Sequence, residues 1–198
     1  MAAAVVLATR NVGKIAELRR ILAPYGIELV GMDEACSIED VVEDGETFAA
    51  NALLKAHAVA IASGLVAVAD DSGLAVSALN GMPGIFSARW SGRHGDDAAN
   101  LALVLAQLAD VPSERRGAAF VCVAAAAAPD GRELVAEGRI EGTLLRAPRG
   151  SGGFGYDPIF VPIGETRTTA EMSAADKDAI SHRGKAFRAL APQLSTLL

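Results

Sequence analysis

Asp70 and Asp71 stand side by side at the end of the apolar run Val66-Ala67-Val68-Ala69, with Ser72-Gly73 directly after them. Adjacent carboxylates at a strand end carry a desolvation cost, and the usual compensating roles are to hold a metal or to accept a proton. Neighbours on a strand point to opposite faces, so both acids reach one metal only if the turn at Ser72-Gly73 bends the backbone. Upstream, Glu43, Asp44 and Glu46 are oxygen donors of the kind that hold Mg²⁺ beside substrate phosphates. Taken alone, that cluster reads as a solvated loop; combined with Asp70 and Asp71 it offers enough oxygen ligands for a hard-cation site to stand level with that reading.

The segment Thr9-Arg10-Asn11-Val12-Gly13-Lys14 lies where a strand hands over to a helix. There, backbone N–H groups and the helix N-terminus can face an anion while Lys14 neutralises charge. It is not a P-loop, because Ile15 stands where that motif needs a hydroxyl, and a plain strand-to-helix turn is the competing reading. Asn51 and Lys55, four residues apart, share a helix face that points either at a ligand or at solvent. His57 has no partner at ligand spacing. Glycines around Phe154 in Ser151–Pro158 would let the backbone approach a flat ligand stacked on that ring, unless Phe154 simply packs in the core. Lys177 and Ser181-His182-Arg183-Gly184-Lys185 gather donors near the start of the last helix.

The elements that must position these residues follow from hydrophobic spacing. Val5–Ala8 reads as a strand, and Ile15, Leu18, Ile21 and Leu22 recur at helical spacing until Pro24. A second strand falls at Ile27–Gly31, an exposed loop at Asp33–Glu46 and a long helix at Thr47–Ser63. Val66–Ala69 and Leu74–Val76 read as paired short strands around the acidic turn. Asn80–Gly95 is a Gly/Pro-punctuated loop, and Asp96 or Asp97 caps a helix to Leu108. Ala118–Ala127 fits strand or helix by pattern alone, but the turn Pro129-Asp130-Gly131 and the alternation in Glu133–Leu145 favour a hairpin. Gly150–Pro162 is a glycine-rich loop entering a strand at Ile159–Val161. Ser173–Leu198 is mostly helical and breaks near Ser181.

A chain of 198 residues, 51% hydrophobic, is long enough for one sizeable α/β domain, taken as residues 1–198. A net charge of −6 argues against a partner such as a nucleic-acid polymer. Small anionic ligands need only a few local cations. Cys36 and Cys122 lack zinc or disulfide spacing, which predicts reduced thiols and a cytoplasmic protein. No stretch has the roughly 18 apolar residues of a membrane span, and Met1–Ala8 lacks the features of a signal peptide.

Taken together, TRNVGK, GETFAANALLKA, ADDSGLAV, GMPGIFSARWSG, GGFGYDPIF and SHRGKAF follow the order and spacing of the Ham1-like family of inosine/xanthosine triphosphate pyrophosphatases. The resemblance runs from about Val5 to about Leu190 and is strongest to the bacterial noncanonical purine NTP pyrophosphatases. It implies an elongated mixed β-sheet flanked by helices, with two lobes and a central active-site cleft, and a homodimer. It also implies Mg²⁺-dependent hydrolysis of dITP/ITP and XTP/dXTP to the monophosphate and pyrophosphate, sanitising the nucleotide pool. By resemblance, Thr9, Arg10, Asn11, Val12, Gly13, Lys14 and Lys55 hold the triphosphate; Asn51 is a candidate substrate contact from its helical spacing to Lys55 alone. Glu43 and Asp71 bind Mg²⁺ with support from Asp70, and Asp71 accepts a proton from the attacking water. Ser72 touches the substrate; Phe154, Gly155, Tyr156 and Asp157 enclose the base; Lys177, His182 and Arg183 read its edge. Two positions depart from the family's pattern: Arg10 replaces a usual glycine, and the variable acidic loop leaves Glu46 as the alternative to Glu43. A Maf-like pyrophosphatase would lack the SHR block, and a non-catalytic nucleotide sensor would be expected to have lost the carboxylates.

Overall fold

The computed structural model describes residues 4–198. Six strands form one mixed sheet in the order β2-β1-β3-β4-β5-β6. They are β1 (Ala4–Leu7), β2 (Glu28–Gly31), β3 (Ala67–Val76), β4 (Gly117–Ala127), β5 (Glu133–Leu144) and β6 (Phe160–Pro162). β1 runs parallel to both β2 and β3, whereas β5 and β6 are antiparallel. The helices are α1 (Val12–Leu22), α2 (Met32–Ala35), α3 (Phe48–Ser63), α4 (Asp97–Gln107), α5 (Ala174–Ile180) and α6 (His182–Leu190). The α/β class expected from the sequence is therefore observed.

The chain divides into two compact units. The first joins the described residues up to Asp71 with Cys122–Gly138 and His182–Leu198; the second joins Ser72–Val121 with Arg139–Ser181.

In the first unit, strand alternation sorts side chains between two layers. Val5, Leu7, Val66, Val68, Cys122, Ala124 and Ala126 pack with α1 residues Leu18, Ile21 and Leu22 and α6 residues Phe187 and Leu190. Their neighbours Val6, Ala67, Ala69, Val123, Ala125 and Ala127 pack instead with α3 residues Ala52, Ala56, Val59 and Ala60. With both faces covered, the strands read as continuous apolar runs, which is why periodicity alone left β4 ambiguous. Gly138 has no room for a side chain: a Cβ there would lie 2.1 Å from the His182 carbonyl oxygen and 2.5 Å from the Ala186 nitrogen. The bare backbone lets β5 abut the start of α6.

In the second unit Leu74, Val76, Val104, Leu108, Phe120, Ile140, Leu144, Ile159 and Phe160 form the core. The rings of Phe120 and Phe160 meet at 4.5 Å between centroids. Buried Arg116 donates to the carbonyls of Leu108, Leu144 and Leu145, holding the end of α4 against the end of β5.

Local signals placed the helix starts. Asn11, Thr47, Asp96 and Ser173 each cap a helix, accepting from the backbone N–H three residues on. Three expectations change. β3 is one unbroken strand rather than two around a turn, because Asp70–Gly73 continue the ladder instead of folding back. The acidic segment opens with the short α2, and the Asn80–Gly95 region contains a 3₁₀ turn at Gly84–Arg89.

Candidate active site

Because β3 does not bend, Asp70 and Asp71 keep the strand's alternation and meet different helices. Asp70 continues the series Val66, Val68 toward α1 and α6. Its Oδ2 lies 3.0 Å from Lys14 Nζ and 3.3 Å from Arg183 Nε, and the Cys122 thiol donates to the same oxygen at 3.8 Å. Arg183 Nη1 in turn lies 2.6 Å from Glu17 Oε2. Glu17, Asp70 and Arg183 are all at most 3% exposed, and Asp70 Oδ1 is buried without a hydrogen-bond partner. Burial pushes the Asp70 carboxyl up, but Lys14, Arg183 and Lys55 more than offset it and hold it well below the usual carboxylate range. Against its own desolvation, the Arg183 guanidinium is held above its ordinary value by the carboxylates of Asp70 and Glu17.

Asp71 continues the series Ala67, Ala69 toward α3. Asn51 Nδ2 donates to Asp71 Oδ2 at 3.0 Å, and Lys55 Nζ lies 3.9 Å from Asp71 Oδ1. Lys55 also binds Glu43 Oε1 at 2.5 Å. Burial raises the Asp71 pKa; Lys55 opposes this, Glu43 adds to it and Asn51 opposes it, leaving the carboxyl above its ordinary value. Lys55 is itself raised, since the charges of Asp71, Asp70 and Glu43 outweigh its desolvation. Glu43 and not the exposed Glu46 meets Lys55. The separation of Asp70 from Asp71 removes the bend that the two acids would need to share one ion. Among the described residues, no three His, Cys, Asp or Glu side chains are grouped to hold a metal.

At the start of α1, Thr9 Oγ1 accepts from the Asn11 N–H, and Asn11 Oδ1 accepts from the Lys14 N–H. Arg10, Asn11, Val12 and Gly13 are exposed here, at the positive end of the helix dipole. Arg10 turns its guanidinium onto Asp33, Asp40 and the Ile38 carbonyl, tying this turn to the segment that leads to Glu43. His182 is buried, and Arg183 is occupied by Glu17 and Asp70.

The second unit gathers another group. Asp157, 2% exposed, accepts from Thr169 Oγ1, the Phe154 N–H and Lys177 Nζ, the last at 2.5 Å. That ammonium sits 5.1 Å from the centre of the half-buried Phe154 ring. Gly155 N–H donates to Asp97, and the Tyr156 hydroxyl, directed to the Ser87 carbonyl, is buried. Ser72 is half-buried.

Sequence reasoning missed Glu17 and the structural use of Arg183. The available signal was a carboxylate on the buried stripe of α1, between Lys14 and Leu18, where an unpaired acid is rarely tolerated.

Comparison with known proteins matches residues 5–193 to the Ham1 family. A dITP/XTP pyrophosphatase of Streptomyces coelicolor is 66% identical over 195 residues, covering 98% of this chain and 98% of its own. One of Mycobacteroides abscessus is 56% identical over 197 residues, covering 98% of this chain and 96% of its own. A solved Ham1 protein of Coxiella burnetii aligns with a TM-score of 0.88 at 41% identity, covering 98% of this chain and 99% of its own. With its fold, its sequence blocks and these relatives in agreement, this chain belongs to the Ham1 family.

Proposed function

We propose that the protein hydrolyses noncanonical purine nucleoside triphosphates, dITP/ITP and XTP/dXTP, to the monophosphate and pyrophosphate, with Mg²⁺. The observation that carries this reading is Asp71: a buried carboxylate with a raised pKa, held between Asn51 and Lys55 and close enough to Glu43 to feel its charge. A raised pKa makes a carboxylate a better proton acceptor. Close relatives named dITP/XTP pyrophosphatase support the same substrate class.

The donor set suits Mg²⁺. Two carboxylates, Glu43 and Asp71, share Lys55, and this ion commonly takes one or two protein carboxylates with the rest of its shell from water and phosphate. When bound there, Mg²⁺ would offset phosphate charge and lower the pKa of nearby water. In the proposed reaction the water oxygen bonds to the α-phosphorus while Asp71 takes the water's proton, and the bond from that phosphorus to the bridging oxygen breaks. Lys14 and Lys55, with the α1 N-terminus, offset charge on the departing pyrophosphate. Asp70 acts by holding Lys14.

For the base, Phe154 offers a ring face and Lys177 a donor suited to a 6-oxo group, whereas adenine's 6-amino group would leave that donor unpaired. We further read the protein as a cytoplasmic homodimer. Its cysteines are free, and among the described residues no helix is long and apolar enough to cross a membrane. Pyrophosphate release from ITP, XTP, dITP, GTP and ATP, with Mg²⁺ and with excess chelator, tests the reading. The expected result is a higher kcat/KM for ITP and XTP than for ATP, lost on chelation; equal cleavage of ITP and ATP would count against it.

A further inference from the structure

Asn51 was expected to be part of a ligand-facing stripe, yet it is fully buried. A primary amide is costly to bury unless its polar atoms are paired. Here Oδ1 accepts from the Gly45 backbone N–H at 2.8 Å, and Nδ2 donates to Asp71 Oδ2 at 3.0 Å. The orientation is dictated by chemistry: an N–H can only donate, so the amide oxygen must face Gly45 and the amide nitrogen must face the carboxylate. Gly45 is held equally closely. A Cβ there would lie 2.7 Å from Asn51 Oδ1 and 2.8 Å from the Ala50 Cβ, so only a bare backbone approaches this near. One turn further along α3, Lys55 lies toward the other oxygen of Asp71 and binds Glu43. The helix thus meets Asp71 Oδ2 with an amide and Oδ1 with a cation, while Asn51 and Lys55 each also grip the acidic loop.

We propose that Asn51 is a positioning residue for Asp71: its amide links the Gly45 backbone to one carboxylate oxygen, fixing the carboxylate's rotation and its register with the loop that carries Glu43. This rests on the reading of Asp71 as the reacting carboxylate. It differs from a substrate contact, which would act on binding, and from a packing role, which would act on stability alone.

The test is steady-state hydrolysis of ITP by purified Asn51→Ala, Gly45→Ala and the double variant, beside Asp71→Asn, with melting curves for each. A lost orientation predicts that Asn51→Ala lowers kcat by about 100-fold with KM little changed. Gly45→Ala should lose kcat in the same direction, and the double variant should be no worse than the more severe single one, because both break one link. Should Asn51→Ala not fold, Asn51→Asp keeps the size and the acceptor for Gly45 while removing the donor toward Asp71, and the same kcat loss is expected. A raised KM at unchanged kcat, a lowered melting temperature with full kcat, or losses that multiply in the double variant would overturn the inference. If Asp71→Asn is inactive while Asn51→Ala retains kcat, only the inference fails; if Asp71→Asn retains turnover, the underlying reading fails with it.

Discussion

Two adjacent residues of one type carry opposite duties because their neighbours differ. Burial, with the nearby charge of Glu43, raises the proton affinity of Asp71 by more than Lys55 and Asn51 lower it; Asp70 is buried too but hemmed in by Lys14, Arg183 and Lys55, so its own is depressed. Asp71→Asn is nearly isosteric and should keep the melting temperature while lowering kcat by about 10²–10⁴, the usual contribution of a positioned acid or base. Rates on protein of verified fold check this. Asp70→Ala should instead destabilise the fold by about 3–5 kcal/mol, since Arg183 would remain buried with half its counter-charge gone. Its pH dependence has a definite sign. A carboxyl whose folded pKa lies below the unfolded value of about 3.9 contributes stability above that pH and loses it as pH falls toward the folded value. Urea denaturation should therefore show the gap between wild type and Asp70→Ala shrinking on acidification below about pH 4. A gap that stays constant would mean that Asp70 contributes through packing rather than charge.

At the scale of elements, helix starts were legible because caps are local: Thr47 and Ala50, or Ser173 and Asp176, lie three residues apart. β3 was less so. Asp70-Asp71-Ser72-Gly73 has the composition of a turn, and the groups that let it stay a strand, Lys14, Asn51, Lys55 and Arg183, come from distant parts of the chain. The pairing of α3 with Asp71 was half visible, since the i, i+4 spacing of Asn51 and Lys55 was read correctly as one face. Its burial depended on the Gly45 contact, which no helical period reveals. The abutment of α6 on β5 is also invisible in sequence and can be probed directly. Gly138→Ala puts a methyl into the His182 carbonyl and should cost about 1–3 kcal/mol of stability by overpacking, shifting the start of α6 and with it Arg183. Thermal unfolding with activity measured on the folded protein checks this; an unchanged melting temperature would show that the helix yields freely.

For the whole molecule, alternation along a sheet covered on both faces is the device that creates the candidate site. One layer turns Asp70 to the cations of α1 and α6, and the other turns Asp71 to α3 and Glu43, so adjacent acids stay ionisable without facing each other. The reaction proposed for that site is attack of water on the α-phosphorus of a noncanonical purine triphosphate. Hydrolysis of ITP in ¹⁸O-labelled water, with the products separated and weighed by mass spectrometry, tests it most directly. Attack at the α-phosphorus leaves one labelled oxygen in inosine monophosphate and unlabelled pyrophosphate. Label in pyrophosphate or inorganic phosphate, or a diphosphate as the first product, would contradict it.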